Sequence, residues 1–284
     1  MGRYKLAIIG YPLTHSLSGT MQNAALRAAG LEGEYETLET PPEDLINVIK
    51  KLKTQGYQGF NVTIPHKVPI TLFLSSFDEA ANVAGAVNTV KILEDKSLEG
   101  YNTDIYGFCH PLKEKNISLK SARAAVLGTG GAARAVCAGL SELGVSEIDL
   151  YSRNIIDSHK TVQLLREKFS DKVKINLLQV QILKSLENYK ILINTTPVGM
   201  KNFAQGVSPL PDEVLATLGD DAVVYDLVYN PIKTELISQA EKLGKTYIGG
   251  LDMLVHQGAK AFKIWTGAEP DVQGMKIAAL EKLM

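Results

Sequence analysis

The chain has 284 residues, 45% of them apolar and 21% charged, with a formal net charge of −1. That length suits two cores of ordinary size in a globular protein. The near-zero charge leaves no global field to attract nucleic acid or an anionic membrane, and no apolar run reaches the roughly 20 residues of a membrane span.

The first residues run straight into a strand pattern with too few apolar positions for a signal peptide. Leu6 stands where myristoylation of Gly2 requires Ser or Thr. Cys109 and Cys137 form no CxxC pair and sit in core-like surroundings, so a reducing compartment without a disulfide framework is expected. These features make the cytoplasm the expected location. His15, His66, His110, His159 and His256 are scattered with no i,i+4 pair, and no metal site is expected.

The apolar pattern predicts a strand over 5–10, a helix over 18–29 stopping at Gly30, and a strand over 34–38. A helix over 42–55 follows, with Thr40 near its N-cap, Pro42 in the first turn and Gly56 just beyond the end. Residues 59–64 form the next strand pattern, in which Phe60, Val62 and Ile64 alternate with Asn61 and Thr63. Pro65 then ends it for want of a ladder donor. Segments 86–93 and 98–102 suit a hairpin around Glu94-Asp-Lys-Ser97.

A linking helix over 105–115 leads to a second unit. Its strands are expected at 122–127, 147–151, 174–176, 191–194, 222–227 and 246–248, mostly separated by helical patterns, the first of which runs to 143. Helical patterns over 253–266 and 272–284 close the chain and are expected to pack on the first unit. The alternation predicts an α/β protein of two domains. A mixed, mostly parallel sheet lies in residues 1–104 with 250–284, and a Rossmann-like dinucleotide-binding domain in 105–249.

The chemistry concentrates at strand ends, where ligands of open α/β sheets bind. Asn61-Val-Thr-Ile-Pro-His-Lys67 places an amide, a hydroxyl and an ammonium together, a set that suits a neutral or anionic polyol better than a metal. Ser16 and Ser18, one residue apart, can point at one carboxylate; Ser18 is also a natural cap for the helix after it. Asn88 and Asp104 lie on or just after strands, and either also suits an ordinary turn. Polar groups of one kind recurring on several loops of the first unit favour a binding site.

Gly128-x-Gly130-x-x-Ala133 follows a strand and opens a helix, the setting of a dinucleotide loop. Gly128 permits the tight turn, Gly130 lets backbone approach a pyrophosphate, and Ala133 keeps the helix close. Gly131 and Ala132 widen the approach. The next strand ends in Tyr151-Ser-Arg-Asn154, with no carboxylate for a ribose 2′-hydroxyl. Arg153 can bind a 2′-phosphate, with Ser152 and Asn154 adding hydrogen bonds; a solvated arginine is the competing account. Asp157 adds negative charge nearby, which Lys160 can offset.

Across nearly its whole length the chain resembles the shikimate dehydrogenase family. The resemblance is carried by Ser16-Leu-Ser18, Asn61–Lys67, Gly85-Ala-Val-Asn-Thr89, Asn102-Thr-Asp104, Gly128-Thr-Gly-Gly-Ala-Ala-Arg134, Asn194-Thr-Thr-Pro-Val-Gly-Met200, Asp226-Leu-Val-Tyr-Asn-Pro231 with Thr234, and Gly250-Leu-Asp-Met-Leu-Val-His-Gln-Gly258. It implies that Ser16, Ser18, Thr63, Lys67, Asn88, Asp104, Tyr229 and Gln257 hold shikimate or 3-dehydroshikimate, with Lys67 and Asp104 carrying the proton chemistry. It also implies NADP(H) contacts at Gly128, Thr129, Gly130, Gly131, Ala132, Ser152, Arg153, Asn154, Leu227 and Gly250, with Glu79 a further member. Many family members carry a second basic residue where Asp157 stands.

The implied activity is reversible NADPH-dependent reduction of 3-dehydroshikimate. An NAD-dependent quinate/shikimate dehydrogenase, a tetrahydrofolate dehydrogenase-like enzyme and a non-catalytic shikimate- or nucleotide-binding regulator are the alternatives. The paired serines with Asn88 and Asp104 favour a small hydroxy acid over the folate. Retention of both Lys67 and Asp104 argues against a regulator. A small-molecule substrate is the expected partner, with no nucleic acid and no membrane, and a homodimer is compatible with everything above.

Overall fold

A computed structural model describes residues 3–14, 16–169 and 171–284. The chain divides into two compact units, Met1–Gly107 with Val255–Met284, and Phe108–Leu254.

The first unit runs β1 (Tyr4–Gly10), α1 (Ser18–Ala28), β2 (Gly33–Glu39), α2 (Leu45–Thr54), β3 (Gly59–Val62), β4 (Ser76–Phe77), α3 (Glu79–Ala84), β5 (Thr89–Ile92) and β6 (Leu98–Tyr101). α4 (Thr103–Glu114) begins in this unit. The sheet order is β2-β1-β3-β5-β6-β4. β1 runs parallel to β2 and β3, β5 is antiparallel to both β3 and β6, and β4 is parallel to β6.

Strand alternation puts β1 into two cores. Ala7 and Ile9 pack with Leu45, Ile49 and Leu52 of α2, while Leu6 and Ile8 pack with Tyr35, Ala261 and Trp265. The Trp265 indole donates to the Val90 carbonyl at 2.9 Å. A Cβ at Gly59 would lie 2.2 Å from that indole, so the start of β3 is glycine to let the ring approach.

The second unit continues with β7 (Arg123–Leu127), α5 (Gly131–Glu142), β8 (Glu147–Ser152), α6 (Ile155–Phe169), β9 (Lys174–Gln179), β10 (Ile191–Asn194), α7 (Asp212–Leu215), β11 (Val223–Asp226), α8 (Glu235–Lys242) and β12 (Thr246–Ile248). Its six strands are all parallel in the order β12-β11-β10-β7-β8-β9. That order is the doubly wound dinucleotide-binding arrangement, with its switch point between β7 and β10. α9 (Gly250–Thr266) starts in this unit and ends in the first, where α10 (Val272–Leu283) packs on α1.

Several sequence expectations shift. β3 is bounded at Val62, two residues short of the expected 64, although the Thr63 N–H still donates to the Ile9 carbonyl at 2.9 Å and the Ile64 carbonyl accepts from the Tyr11 N–H at 2.9 Å before the chain turns at Pro65. Thr40 does not cap a helix; its hydroxyl donates to the Leu38 carbonyl at 2.8 Å, a short 3-10 turn spans Pro42–Asp44, and α2 starts at Leu45. Ser18 is not a cap either, since Leu17 holds that position and Ser16 Oγ accepts the Ser18 N–H at 3.3 Å. Asn88 immediately precedes β5, which starts at Thr89, instead of lying on or just after a strand. α4 begins two residues before the expected 105, because the Asn102 side chain accepts the N–H groups of Asp104 at 3.1 Å and Ile105 at 3.3 Å. α9 starts at Gly250 instead of 253.

Candidate active site

Lys67 and Asp104 come together. The Lys67 ammonium donates to Asp104 Oδ2 at 2.6 Å, on a turn tied to the neighbouring segment by the Val87 N–H donating to the Lys67 carbonyl at 2.8 Å. Asp104 sits in the first turn of α4, where the helix dipole favours its charge. Its other oxygen, Oδ1, accepts from Asn88 Nδ2 at 2.8 Å.

The Asn88 amide is held in one orientation. Its Oδ1 accepts the Thr103 backbone N–H at 2.8 Å, a group that can only donate, so Nδ2 must face Asp104. Nδ2 also lies 2.9 Å from Thr103 Oγ1 and 3.4 Å from Gln257 Oε1. With two hydrogens for three acceptors, the long contact to Gln257 is the weakest.

A second amide supports the first. Asn61 on β3 donates to the Asn88 carbonyl at 3.0 Å and to Thr89 Oγ1 at 2.9 Å, and its Oδ1 accepts from the Tyr35 hydroxyl at 2.7 Å. Tyr35, Asn61, Asn88, Thr89, Thr103 and Asp104 are all buried. The Ser18 hydroxyl lies beside Tyr35, whose phenol burial pushes well up. Thr63 is half-buried just past β3, and a Cβ at Gly10 would come 2.3 Å from its methyl, so Gly10 makes room for it.

Lys67, Asp104, Asn88 and Gln257 therefore form one cluster, which Tyr35 and Asn61 link toward Ser18. Sequence reading missed Tyr35, Thr89 and Thr103 as parts of it. Thr103 stood inside the Asn102-Thr-Asp104 string and Thr89 inside Gly85-Ala-Val-Asn-Thr89; Tyr35 carried no local signal.

In the second unit the glycine loop follows β7. Gly128 adopts φ +102°, and a Cβ there would meet Thr195 Oγ1 at 2.7 Å, so the chain itself requires this glycine. Gly130 and Gly131 differ. A Cβ at either would meet nothing within 4 Å, and Gly130, at φ −78°, is in a backbone conformation open to any residue. Their lack of side chains leaves the approach to the N-terminus of α5 clear for an incoming group, which fits a pyrophosphate. No side chain caps that helix.

Arg153 is exposed after β8. Asn154 is partly engaged within its own loop. Its Oδ1 accepts the Ile156 N–H at 3.0 Å at the start of α6, and its amide donates to Asp157 Oδ2 at 2.6 Å.

Leu227 and Tyr229 follow β11, and burial raises the Tyr229 phenol. A Cβ at Gly250 would lie 2.2 Å from the Leu227 carbonyl, which explains the glycine. Glu79 is exposed in the first turn of α3, in the first unit.

An ion-paired lysine on an amide frame in one unit, and a doubly wound sheet with an open glycine loop in the other, define a two-unit oxidoreductase working with a nicotinamide dinucleotide. Residues 8–90 match the model of the shikimate dehydrogenase substrate binding domain, and 250–280 that of the shikimate 5′-dehydrogenase C-terminal domain. The NADP(+) shikimate dehydrogenase of Methanocaldococcus jannaschii is 39% identical, over 98% of this chain and 96% of that protein. The chain belongs to the shikimate dehydrogenase family.

Among solved structures, the Thermus thermophilus shikimate 5-dehydrogenase in complex with NADP(H) and shikimate matches with a TM-score of 0.86 and 36% identity, over 99% of this chain and 100% of that one. The quinate dehydrogenase of Corynebacterium glutamicum in complex with NAD matches with a TM-score of 0.90 and 28% identity, over 98% and 99% of the two chains. No helix among the described residues is long and apolar enough to cross a membrane.

Proposed function

We propose that this chain catalyses the reversible NADPH-dependent reduction of 3-dehydroshikimate to shikimate, a step toward chorismate and the aromatic amino acids. The observation that carries the reading is the Lys67–Asp104 pair at 2.6 Å, with the second carboxylate oxygen already occupied by Asn88. A proton donor is thereby held in one place before substrate arrives.

NADPH, when bound, supplies the hydride to the ketone carbon. Lys67 gives the ketone oxygen its proton, and recovers one in the reverse direction. Asp104 orients the ammonium and accepts from the substrate hydroxyl. Ser16 and Ser18 take the substrate carboxylate, and Thr63, Asn88, Tyr229 and Gln257 take ring hydroxyls.

For the cofactor, the backbone of Gly128, Thr129, Gly130, Gly131 and Ala132 holds the pyrophosphate at the start of α5. Arg153 would take the 2′-phosphate with Ser152 and Asn154 beside it, and Leu227 and Gly250 would contact the dinucleotide. Glu79, exposed in the first turn of α3, is read as a further cofactor contact on the family resemblance alone. A cytoplasmic location fits the two buried free thiols, Cys109 and Cys137, and light scattering will read whether the chain forms a homodimer.

The test is a spectrophotometric assay of NADPH and NADH with 3-dehydroshikimate, and of NADP and NAD with shikimate and quinate. NADPH oxidation with 3-dehydroshikimate is expected to be the fastest reduction. A faster reaction of quinate with NAD would replace the proposed substrate and cofactor, and no turnover of any pair would leave a binding protein.

A further inference from the structure

Three hydroxyls join the two cofactor loops of the second unit. Ser158 Oγ, in the first turns of α6, lies 2.7 Å from Thr129 Oγ1 in the glycine loop and 2.7 Å from Ser152 Oγ at the end of β8. The Asn154 carbonyl lies 2.8 Å from Ser158 Oγ and 3.0 Å from Ser152 Oγ, and the Asn154 N–H donates to Ser152 Oγ at 3.1 Å. Ser158 is 4% exposed and Ser152 is 9% exposed.

The protons can be counted. Each hydroxyl has one, and the Asn154 carbonyl can only accept. If Ser158 donates to that carbonyl, Ser152 and Thr129 must both donate to Ser158. If Ser152 donates to the carbonyl instead, Ser158 donates to Ser152 and Thr129 donates to Ser158. In any arrangement that bonds both hydroxyl pairs and the carbonyl, Thr129 and Ser152 spend their protons inside the protein.

We infer that Ser158 is a positioning residue for the dinucleotide. It is the hub that pins the pyrophosphate loop to the adenosine-ribose loop, while Thr129 and Ser152 act as struts and leave donation to phosphate to backbone N–H groups and Arg153. This rests on the reading of 128–132 and 152–154 as cofactor loops.

Ser158→Ala frees Thr129 from its anchor, while Ser152 keeps the Asn154 carbonyl as acceptor. Two hydrogen bonds go, Thr129–Ser158 and Ser152–Ser158, and the loss of the one that anchors the glycine loop predicts a rise of about three- to tenfold in KM for NADPH and by the same factor for NADH, because the strut precedes any contact unique to the 2′-phosphate. The kcat and the KM for shikimate should stay unchanged, and Ser158→Thr should restore cofactor KM.

The measurements are steady-state kinetics with both cofactors, fluorescence titration of NADPH, and a melting curve. A cofactor KM at or below the native value overturns the proposal, even if the variant melts earlier. A rise confined to NADPH also overturns it, since Ser158 would then be a phosphate ligand. A native chain that binds neither cofactor would bring down the loop reading and this proposal together, whereas native binding with an unaffected variant brings down this proposal alone.

Discussion

The two units prepare their sites by opposite means. In the first, side chains do the positioning: Asn61 and Asn88 are buried amides whose orientations are set by backbone groups, and they hold Asp104 against Lys67. In the second, the side chains of the loops satisfy one another, as in Asn154 with Asp157 and Ser158 with Thr129 and Ser152. Backbone and open space at Gly130 and Gly131 remain for the ligand. A small polyol needs donors and acceptors at particular points on its ring, which side chains supply. A phosphate accepts from any converging N–H groups, which a glycine loop and helix terminus supply without side chains.

The contrast is broken most severely at Lys67. Removing the positioned acid with Lys67→Ala is expected to lower kcat by roughly 10²-fold or more. Shikimate affinity should change far less. Near-native turnover at saturating substrate would show that the amide frame positions something other than the acid.

Arg153 is the corresponding point in the second unit. The expectation from sequence had three side chains on the 2′-phosphate; Asn154 already spends its Oδ1 on capping and one amide proton on Asp157, and the guanidinium is the charged donor of that loop. Loss of a charge-assisted contact costs about 1.5–3 kcal/mol, so Arg153→Ala should lower kcat/KM for NADPH by roughly ten- to more than hundredfold and affect NADH much less. Equal losses for the two cofactors would make Arg153 an adenine-stacking residue.

What the sequence made legible, and what it did not, divides along physical lines. Lys67, Asn88 and Asp104 were readable because their chemistry stands out at strand ends in otherwise apolar runs. How Asn61 and Thr89 hold them was not, because these residues meet through sheet register: Asn61 lies opposite Thr89, and Thr89 opposite Tyr101, pairings with no local spacing. β4 was missed because Ser76 and Phe77 are both exposed, so no buried-face alternation marks them. The early start of α4 depends on Asn102 turning its carbonyl oxygen onto two helix N–H groups, a choice of side-chain orientation that composition does not reveal. Ser158 carries no mark in the sequence, and only the fold brings Thr129 and Ser152 to it.

Asn88 tests whether the frame also supports the fold. Asn88→Ala removes the acceptor of the buried Thr103 N–H and one donor to Asp104. An unsatisfied buried donor costs about 1–3 kcal/mol, which chemical denaturation would read as lost stability alongside a lower kcat. Lost activity at unchanged stability would confine Asn88 to the chemistry.

The last expected effect concerns a buried carboxyl of the second unit, and it falls on stability instead of turnover. Asp226, at the end of β11, accepts from Thr234 Oγ1 at 2.6 Å, Asn194 Nδ2 at 2.9 Å and the Val228 N–H at 3.1 Å. Burial nevertheless outweighs these donors and raises the carboxyl from 3.8 to about 6. Below about pH 4 the group is protonated folded and unfolded, and its contribution is fully present. Between the unfolded value and about 6, the unfolded chain has lost the proton that the folded chain keeps, so this contribution falls as pH rises, by at most about 1.4 kcal/mol per unit. Above that range the difference is constant. Denaturation of the native chain and of Asp226→Asn from pH 4 to 7 isolates the effect, with the native stability falling relative to the variant as pH rises. A difference that instead grew with pH would mean that the three donors outweigh burial, making Asp226 a hydrogen-bonded carboxylate like Asp104 and erasing this part of the contrast between the units.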